Sequence, residues 1–595
     1  MIYIYLKALA VFFGLDIIYM QTDYTSPRID LNPKQYRFGT SPKLLGMLLE
    51  TKKESLMLKK FVMMGVATLI SLGLSVEPSK AQTLKIGSTS EASSADPHFH
   101  NLGPNNALRR HIFQSLVGTD TSQRLTPLLA ESWKATDENT WEFKLRKNVK
   151  FHDGSDFTAQ DVIYTVCRIP TVVDSPSSFT VYTKAIQGMQ APNPHTLIVK
   201  TATPYPLLPT ELSTWGIISA SANGGQSAKF NKEGCSDMGT PPSSDAFNSA
   251  GPAAVGTGPF KLVSYIRGES TTLARNDNYW GTKSEWAEVI IRPITSEGPR
   301  VAALLAGDVD LIESPPLQDL ERINRTAGYE VVQGLSNRVI YLHLDTHADD
   351  TPGIKGVPAG KNPLKDRRVR EALSKAINRD AIVARIMGGV AVAAGQLLPE
   401  GFFGSTPGLK ADQFDPDRAK ALLAEAGYPN GFELVIGSPN DRYINDEKVA
   451  QAMAQMLTRI GIKTSVDATT ASTFFSRRNK YEFSAYMAGW GAGTGEMSSP
   501  LKALVATRNK DKGMGGTNRG RYSNPKVDAL LEQALRTVDD SAREKLLQEA
   551  SAVVLGDYGI LPLHFEVTPW AYRSGVSYAP RADQYTLAFE VKSTN

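Results

Sequence analysis

Cysteine is nearly absent: Cys167 and Cys235 are the only two in 595 residues. That excludes a disulfide-built scaffold and a zinc fold assembled from cysteine ligands. No fixed repeat period appears, which argues against solenoids and propellers. Charge of one sign is also missing. The net +4 lies entirely in residues 1–81, and from Gln82 onward basic and acidic residues are equal in number. A neutral body gives no electrostatic reason to expect nucleic acid or an anionic membrane as partner. Catalytic signatures are lacking too. There is no G-x-S-x-G elbow and no H-E-x-x-H pair, so the nucleophile-elbow hydrolases and zincins lose support. What remains is a chain with 41% apolar and 21% charged residues, ordinary for a soluble globular protein. Its length suggests roughly two to four domains.

The front end reads as an address. Met57 is followed by Lys59 and Lys60, then by the uncharged run Phe61–Leu74, then by Glu77, Pro78 and Ser79-Lys80-Ala81. A basic start, a short apolar middle and small residues before a cut after Ala81 make a secretory signal peptide. The apolar run is shorter than the ~20 residues that span a bilayer. No cysteine sits near the cut, so the expected product is exported, soluble, periplasmic and not a lipoprotein. Because the 57–81 pattern is complete by itself, residues 1–56 read as an over-extended start. Fold reasoning begins at Gln82.

Beyond that point, short β-branched runs alternate with amphipathic helices. Thr83–Gly87, Trp141–Leu145, Thr196–Lys200, Phe260–Tyr265, Val289–Arg292, Val339–Leu344, Phe432–Ile436 and Phe483–Met487 read as strands. Asp415-Pro416 opens a helix that Gly427 closes. Thr158 and Asp161 form a capping-box variant at the start of another. Val449, Met453, Met456, Leu457 and Ile460 repeat at helical spacing before Gly461, and the two methionines fit core filling. Val301, Leu304 and Leu305 end at Gly307. The last two helices run into strands at Ile462–Val466 and Val309–Ile312, the αβ half of a crossover unit, so the fold class is α/β with parallel pairing. Residues 221–258 and 346–362 are long irregular stretches, two breaks that suit a chain leaving one lobe and returning to it.

Isolated chemistry gives little. His98-Phe99-His100 offers two imidazoles on one strand face, but zinc wants four ligands. Gly356–Lys361 is one residue short of a P-loop, and Asn362 stands where the magnesium hydroxyl belongs. In an exported chain Cys167 and Cys235 are expected to pair, although sequence separation does not fix the geometry. A large, neutral, exported α/β chain without a reactive constellation is suited to holding something.

Leu129–Val162, LAESWKATDENTWEFKLRKNVKFHDGSDFTAQDV, resembles the most typical segment of the peptide- and nickel-binding class of bacterial ABC-transporter solute-binding proteins, solute-binding protein family 5. Ala95–His98, Val255–Leu262 (VGTGPFKL), Arg275–Gly281 (RNDNYWG), Arg300–Leu311, Asn362–Ile377 and Asp415–Gly431 continue the similarity in the family's order over essentially all of 82–595. The resemblance implies a two-lobed clamshell with an extra subdomain on lobe I. Lobe I would be 82–122, 252–340 and 556–595, the subdomain 123–251 and lobe II 341–555. A ligand would be enclosed between the lobes by hinge closure and passed to an ABC permease and its ATPase. The expected protein is monomeric, non-enzymatic and free of cofactor or metal.

The resemblance also marks candidate ligand residues. The family's Gly-Trp pair and cleft loop fall at Gly489-Trp490-Gly491-Ala492-Gly493-Thr494-Gly495-Glu496. Peptide-binding members place an Asp three residues after the Trp to meet the peptide ammonium group, and here that position is Gly493. Glu496 is the candidate substitute. Trp490, Gly491 and Gly493 would shape the wall. Arg442 and Tyr443 are candidates for a ligand carboxylate or hydroxyl. Ser90, Glu91 and His98 would lie after the first strand on the lobe I side of the cleft, and Asn337 and Tyr341 would flank the hinge strand. Two readings of the solute follow: a peptide or similarly sized polar solute, or a non-peptide such as an opine, sugar conjugate, haem or metal chelate. An exported peptidase or a secreted chaperone are the rivals from other classes.

Overall fold

The computed structural model describes residues 82–594. The expected signal peptide at 57–81 and the extra start at 1–56 lie outside the described residues. Among those residues no helix is long and apolar enough to cross a membrane.

Two sheets organise the chain. The larger has twelve strands, and its path runs Phe260–Ile266, Ser270–Arg275, Glu288–Pro293, Thr83–Ser88, Leu311–Glu313, Leu561–Arg573, Tyr329–Leu344, Ala485–Gly491, Glu433–Pro439 and Ile354–Lys355. Off that path, Ala391–Ala393 pairs with Leu561–Arg573, and Lys463–Thr469 pairs with Glu433–Pro439. Parallel ladders join Thr83–Ser88 to Glu288–Pro293, and Glu433–Pro439 to Lys463–Thr469. The second arises where helix Asp446–Arg459 and Gly461 turn the chain back, and helix Glu297–Leu305 with Gly307 likewise returns the chain to Leu311–Glu313, which pairs in parallel with Thr83–Ser88. Helix Pro416–Glu425 has Pro at its first position and the Asp415 carboxylate accepting from Arg418 N, and it ends before Gly427 at φ 91°. Helix Ala159–Arg168 carries the capping box, with Asp161 accepting from Thr158 N at 2.7 Å.

The second sheet has six antiparallel strands, all within residues 130–236. Its inward face puts Trp141, Phe143, Leu145, Leu197 and Val199 against Val162 and Val166 of helix Ala159–Arg168. The strand Trp141–Leu145 alternates in and out as its pattern requires. Cys167 of that helix is joined by a disulfide to Cys235 on the edge strand.

Two long strands link separate cores. Tyr329–Leu344 runs for sixteen residues and Leu561–Arg573 for thirteen. Leu561 and Leu563 pack with Leu342, Leu344, Leu434 and Ile436. At the other end of the same strand Trp570 and Tyr572 pack with Leu84, Ile86 and Val289. The ladder between the two strands breaks its register between Leu335 and Val339. Beyond the break, Arg338–Leu344 takes Ala485–Gly491 as a neighbour. Leu561–Arg573 carries Pro562 and Pro569, residues that argue against an interior strand when read from sequence alone.

Four buried histidines and the partly buried His152 have their pKa lowered by desolvation: His98 and His343 to about 3, and His111, His152 and His564 to about 4. His564 is the simplest, since neither ring nitrogen has a hydrogen-bond partner. Its folded pKa lies below the unfolded value of 6.5, so the unfolded chain binds the extra proton, and this contribution to stability is present above pH 6.5 and lost as pH falls toward 4. His564→Leu should therefore gain on the wild type by up to ~1.4 kcal/mol per pH unit across that window. Urea unfolding at pH 7 and pH 5 checks this. A difference that does not change with pH would contradict it.

Candidate functional site

A cavity of about 470 Å³ lies where the register of the long strands breaks. Its floor is Asn337 and Arg338. One wall is the end of strand Thr83–Ser88 with Thr89, Ser90 and Glu91, together with Glu313 and the loop Asp583–Thr586. The opposite wall is Trp490, Gly491, Gly493, Thr494 and Ser499, and Asn101 and Tyr182 also line it.

The glycine-rich loop is held from two sides. The Asn337 side-chain amide donates to Gln123 Oε1 at 2.7 Å and to Ala492 O at 3.1 Å. The Gln123 amide in turn donates to Gly493 O at 3.0 Å. The loop is therefore tied both to the crossing strand and to the chain entering the six-stranded sheet. Gly495, at φ 66°, lies so close to Gln123 that a Cβ would meet it at 2.7 Å. Gly493 differs. A Cβ there has nothing within 4 Å, so the missing side chain leaves open space. Trp490 is half-buried and donates from Nε1 to Ser499 Oγ at 3.2 Å, which fixes the ring as an apolar wall.

Most charge at the cavity is already matched. Arg338 Nε sits 3.2 Å from Glu566, a buried carboxylate. Asp583 is paired with Arg581 at 2.7 Å and with Arg110 at 3.2 Å. Arg110 also lies 5.1 Å from the ring centre of Tyr585. Glu313 has no such cation. Its carboxylate accepts from Thr89 N at 3.0 Å and more weakly from Thr89 Oγ1 at 3.5 Å. Burial raises its pKa, with the Thr586 and Thr89 donors pulling the other way.

The other expected site residues separate. Trp490, Gly491, Gly493, Ser90 and Asn337 line the cavity. Glu496 does not. It is 3% exposed and forms an ion pair of 2.6 Å with buried Arg543, beside a separate cavity of about 610 Å³. It is neither a solvated loop carboxylate nor a free ligand anchor. His98 is buried behind the wall. Its Nε2 meets Gly216 O at 2.8 Å and its Nδ1 meets Arg168 at 3.0 Å, while Arg168 pairs with Asp96. Tyr341 is enclosed in the core with Val339, Tyr486 and Ala488. Arg442 and Tyr443 line a different groove of about 1110 Å³, where their backbone amides donate to the Asp446 carboxylate and Tyr443 O–H donates to Gly489 O at 3.2 Å. Asn337 and Tyr341 are four residues apart and would share a face of a regular strand; the register shifts at Leu335/Val339 and Ile340/Tyr341 separate them, so Asn337 lines the cavity while Tyr341 packs in the core. The sequence reading missed Glu313, Arg338, Asp583 and Tyr585. Arg338 adjoins Asn337 and was within reach, but the irregular loop Asp583–Thr586 carries no periodic signal.

Residues 124–512 match the family described as bacterial extracellular solute-binding proteins, family 5. The chain belongs to family 5. Among curated relatives, the glutathione-binding protein GsiB of Escherichia coli strain K12 is 27% identical over 514 residues, which cover 85% of this chain and 92% of that protein. The heme-binding protein A of Haemophilus influenzae is 26% identical, covering 78% of this chain and 83% of its own. In fold, HbpA2 from Haemophilus parasuis aligns with a TM-score of 0.71 at 23% identity, over 86% of this chain and all of that one. DppA from Helicobacter pylori, solved with the peptide STSA, aligns at 0.66 and 24% identity, over 88% of this chain and 100% of the other. The two-lobed periplasmic-binding-protein fold of the family 5 type accounts for the two cores and their shared strands.

The Glu496–Arg543 pair tests how the glycine-rich loop is anchored behind the site of this family 5 protein. Arg543→Met leaves a buried carboxylate unpaired and should cost ~3–5 kcal/mol in denaturant unfolding, most of it recovered by adding Glu496→Gln. If Arg543→Met is neutral, the pair does not hold the loop.

Proposed function

We propose that this protein is the periplasmic solute-binding component of an ABC importer, and that it captures a peptide or a similarly sized polar solute in the cavity between Trp490 and Glu313. The observation that carries the reading is the placement of the cavity. It opens at the break in the strand shared by two cores, with walls contributed by both sides. Bending at Ser336–Arg338 would bring Ser90 and Trp490 together over a ligand, so binding energy favours the closed state. In this reading lobe I is 82–122, 252–340 and 556–595, the added subdomain is 123–251, and lobe II is 341–555. Residues 57–81 direct export, and the released, monomeric protein presents its closed form to a permease coupled to an ATPase. It acts by binding, as its named relatives do, with no reaction of its own.

Polar side chains outnumber apolar ones in the cavity lining, beside the rings of Tyr182, Trp490 and Tyr585, and that supply of hydrogen-bonding groups suits a peptide-like solute. The relatives' solutes, glutathione and a tetrapeptide on one side and haem on the other, span both alternatives. Native mass spectrometry of the exported protein, purified gently and then denatured, decides between them. The expected result is release of peptides or a peptide conjugate of a few residues. A single non-peptide species, such as haem or a metal chelate, would overturn the peptide-like reading.

A further inference from the structure

The charges lining the cavity narrow the solute further. Five lining side chains carry or can carry charge in this wall: Glu91, His111, Glu313, Arg338 and Asp583. His111 is buried and held neutral, its Nδ1 against Ala107 O and its Nε2 accepting from Ala588 N. Arg338 and Asp583 are each satisfied by an opposite charge behind the wall. Glu91 stands at the rim and accepts from Gly268 N at 2.7 Å.

Glu313 is left without a cation in contact. The nearest guanidinium, Arg300, is committed elsewhere. It donates to the backbone carbonyls of Ile294, Thr295, Glu313 and Ser314 at 2.7–3.1 Å, and so grips the backbone of Glu313 rather than its carboxylate. Thr89, which donates to that carboxylate, lies in the cavity wall itself. Across the cavity, the open space at Gly493 holds no carboxylate to compete.

We propose that Glu313 is the cation receptor of the cavity and that the transported solute carries a protonated amine or guanidinium group, which pairs with this carboxylate. This rests on the solute-binding reading above. The anchor lies on the lobe I wall, at the end of strand Leu311–Glu313, opposite the glycine-rich loop. A carboxylate part-buried in a cavity, and held by one backbone amide and the hydroxyls of Thr89 and Thr586, still has unused acceptor capacity, since two oxygens offer about four lone-pair sites. A ligand cation supplies the missing partner, and charge-assisted hydrogen bonds of this kind are the strong ones. Acylation of the ligand amine removes both the charge and the donors.

The test uses the exported full-length chain and pairs of probes: free-amine dipeptides and tripeptides, the same compounds N-acetylated, and agmatine as a non-peptide cation. Binding is read by isothermal titration calorimetry on the wild type, Glu313→Gln and Glu313→Asp. At least one free-amine probe should bind the wild type and lose about 30-fold or more in affinity with Glu313→Gln. Its N-acetylated partner should bind both proteins equally poorly, and Glu313→Asp should restore part of the affinity because it keeps the charge. If acetylated and free probes bind the wild type alike, or if Glu313→Gln binds like the wild type, the cation-receptor role fails while the peptide-like reading stands. If agmatine alone binds and depends on Glu313, the receptor role stands and the peptide-like reading fails. If no probe binds, both fail.

Discussion

Everything in this fold depends on one backbone constraint: two cores share a pair of strands. Tyr329–Leu344 and Leu561–Arg573 are hydrogen-bonded along most of their length, yet each buries opposite ends in different clusters. Interiors are close-packed and resist deformation, so relative movement concentrates where the pairing lapses. The lapse falls between Leu335 and Val339. The same interruption frees Asn337 and Arg338 to line the cavity and to brace the glycine-rich loop. A site placed there senses the relation of the two halves, which is what a capture protein needs.

Much of this was legible in the residues. Alternation placed Trp141–Leu145, and the Thr158–Asp161 and Asp415-Pro416 caps placed their helices, because those signals are local. The longest strand of the C-terminal region was not, since Pro562 and Pro569 read as strand breakers. Pro562 O accepts from Arg379 Nε at 2.7 Å and Pro569 O accepts from Ser314 N at 3.0 Å, so tertiary partners use the carbonyls of both prolines. The candidate site divided in the same way. Trp490, Gly491, Gly493 and Ser90 sit at strand ends and in loops, whereas Asn337 reaches the cavity through the register break within Tyr329–Leu344. His98, Tyr341 and Glu496 were drawn inward by partners far away in sequence: Arg168, the aromatic core and Arg543. Pairings of that kind are invisible to periodicity.

Glu313 apart, charges near the cavity are cancelled by partners buried behind the wall, as with Arg338 and Glu566 or Asp583 and Arg581. Burying such charges unpaired is costly, and pairing them within the protein keeps the wall rigid before a ligand arrives. Rigidity there lowers the ordering cost of binding. The exposed Trp490 face then supplies apolar contact without demanding a particular side chain, and polar groups set orientation.

The central claim is that solute capture couples to motion about Ser336–Arg338. Its most direct test is single-molecule FRET between dyes at Glu269 and Lys510, both exposed and on opposite sides of the shared strands. The solute recovered from the exported protein should shift the population to a single state with a changed inter-dye distance, and removal of the solute should reverse it. Saturating binding with an unchanged distance distribution would contradict the account.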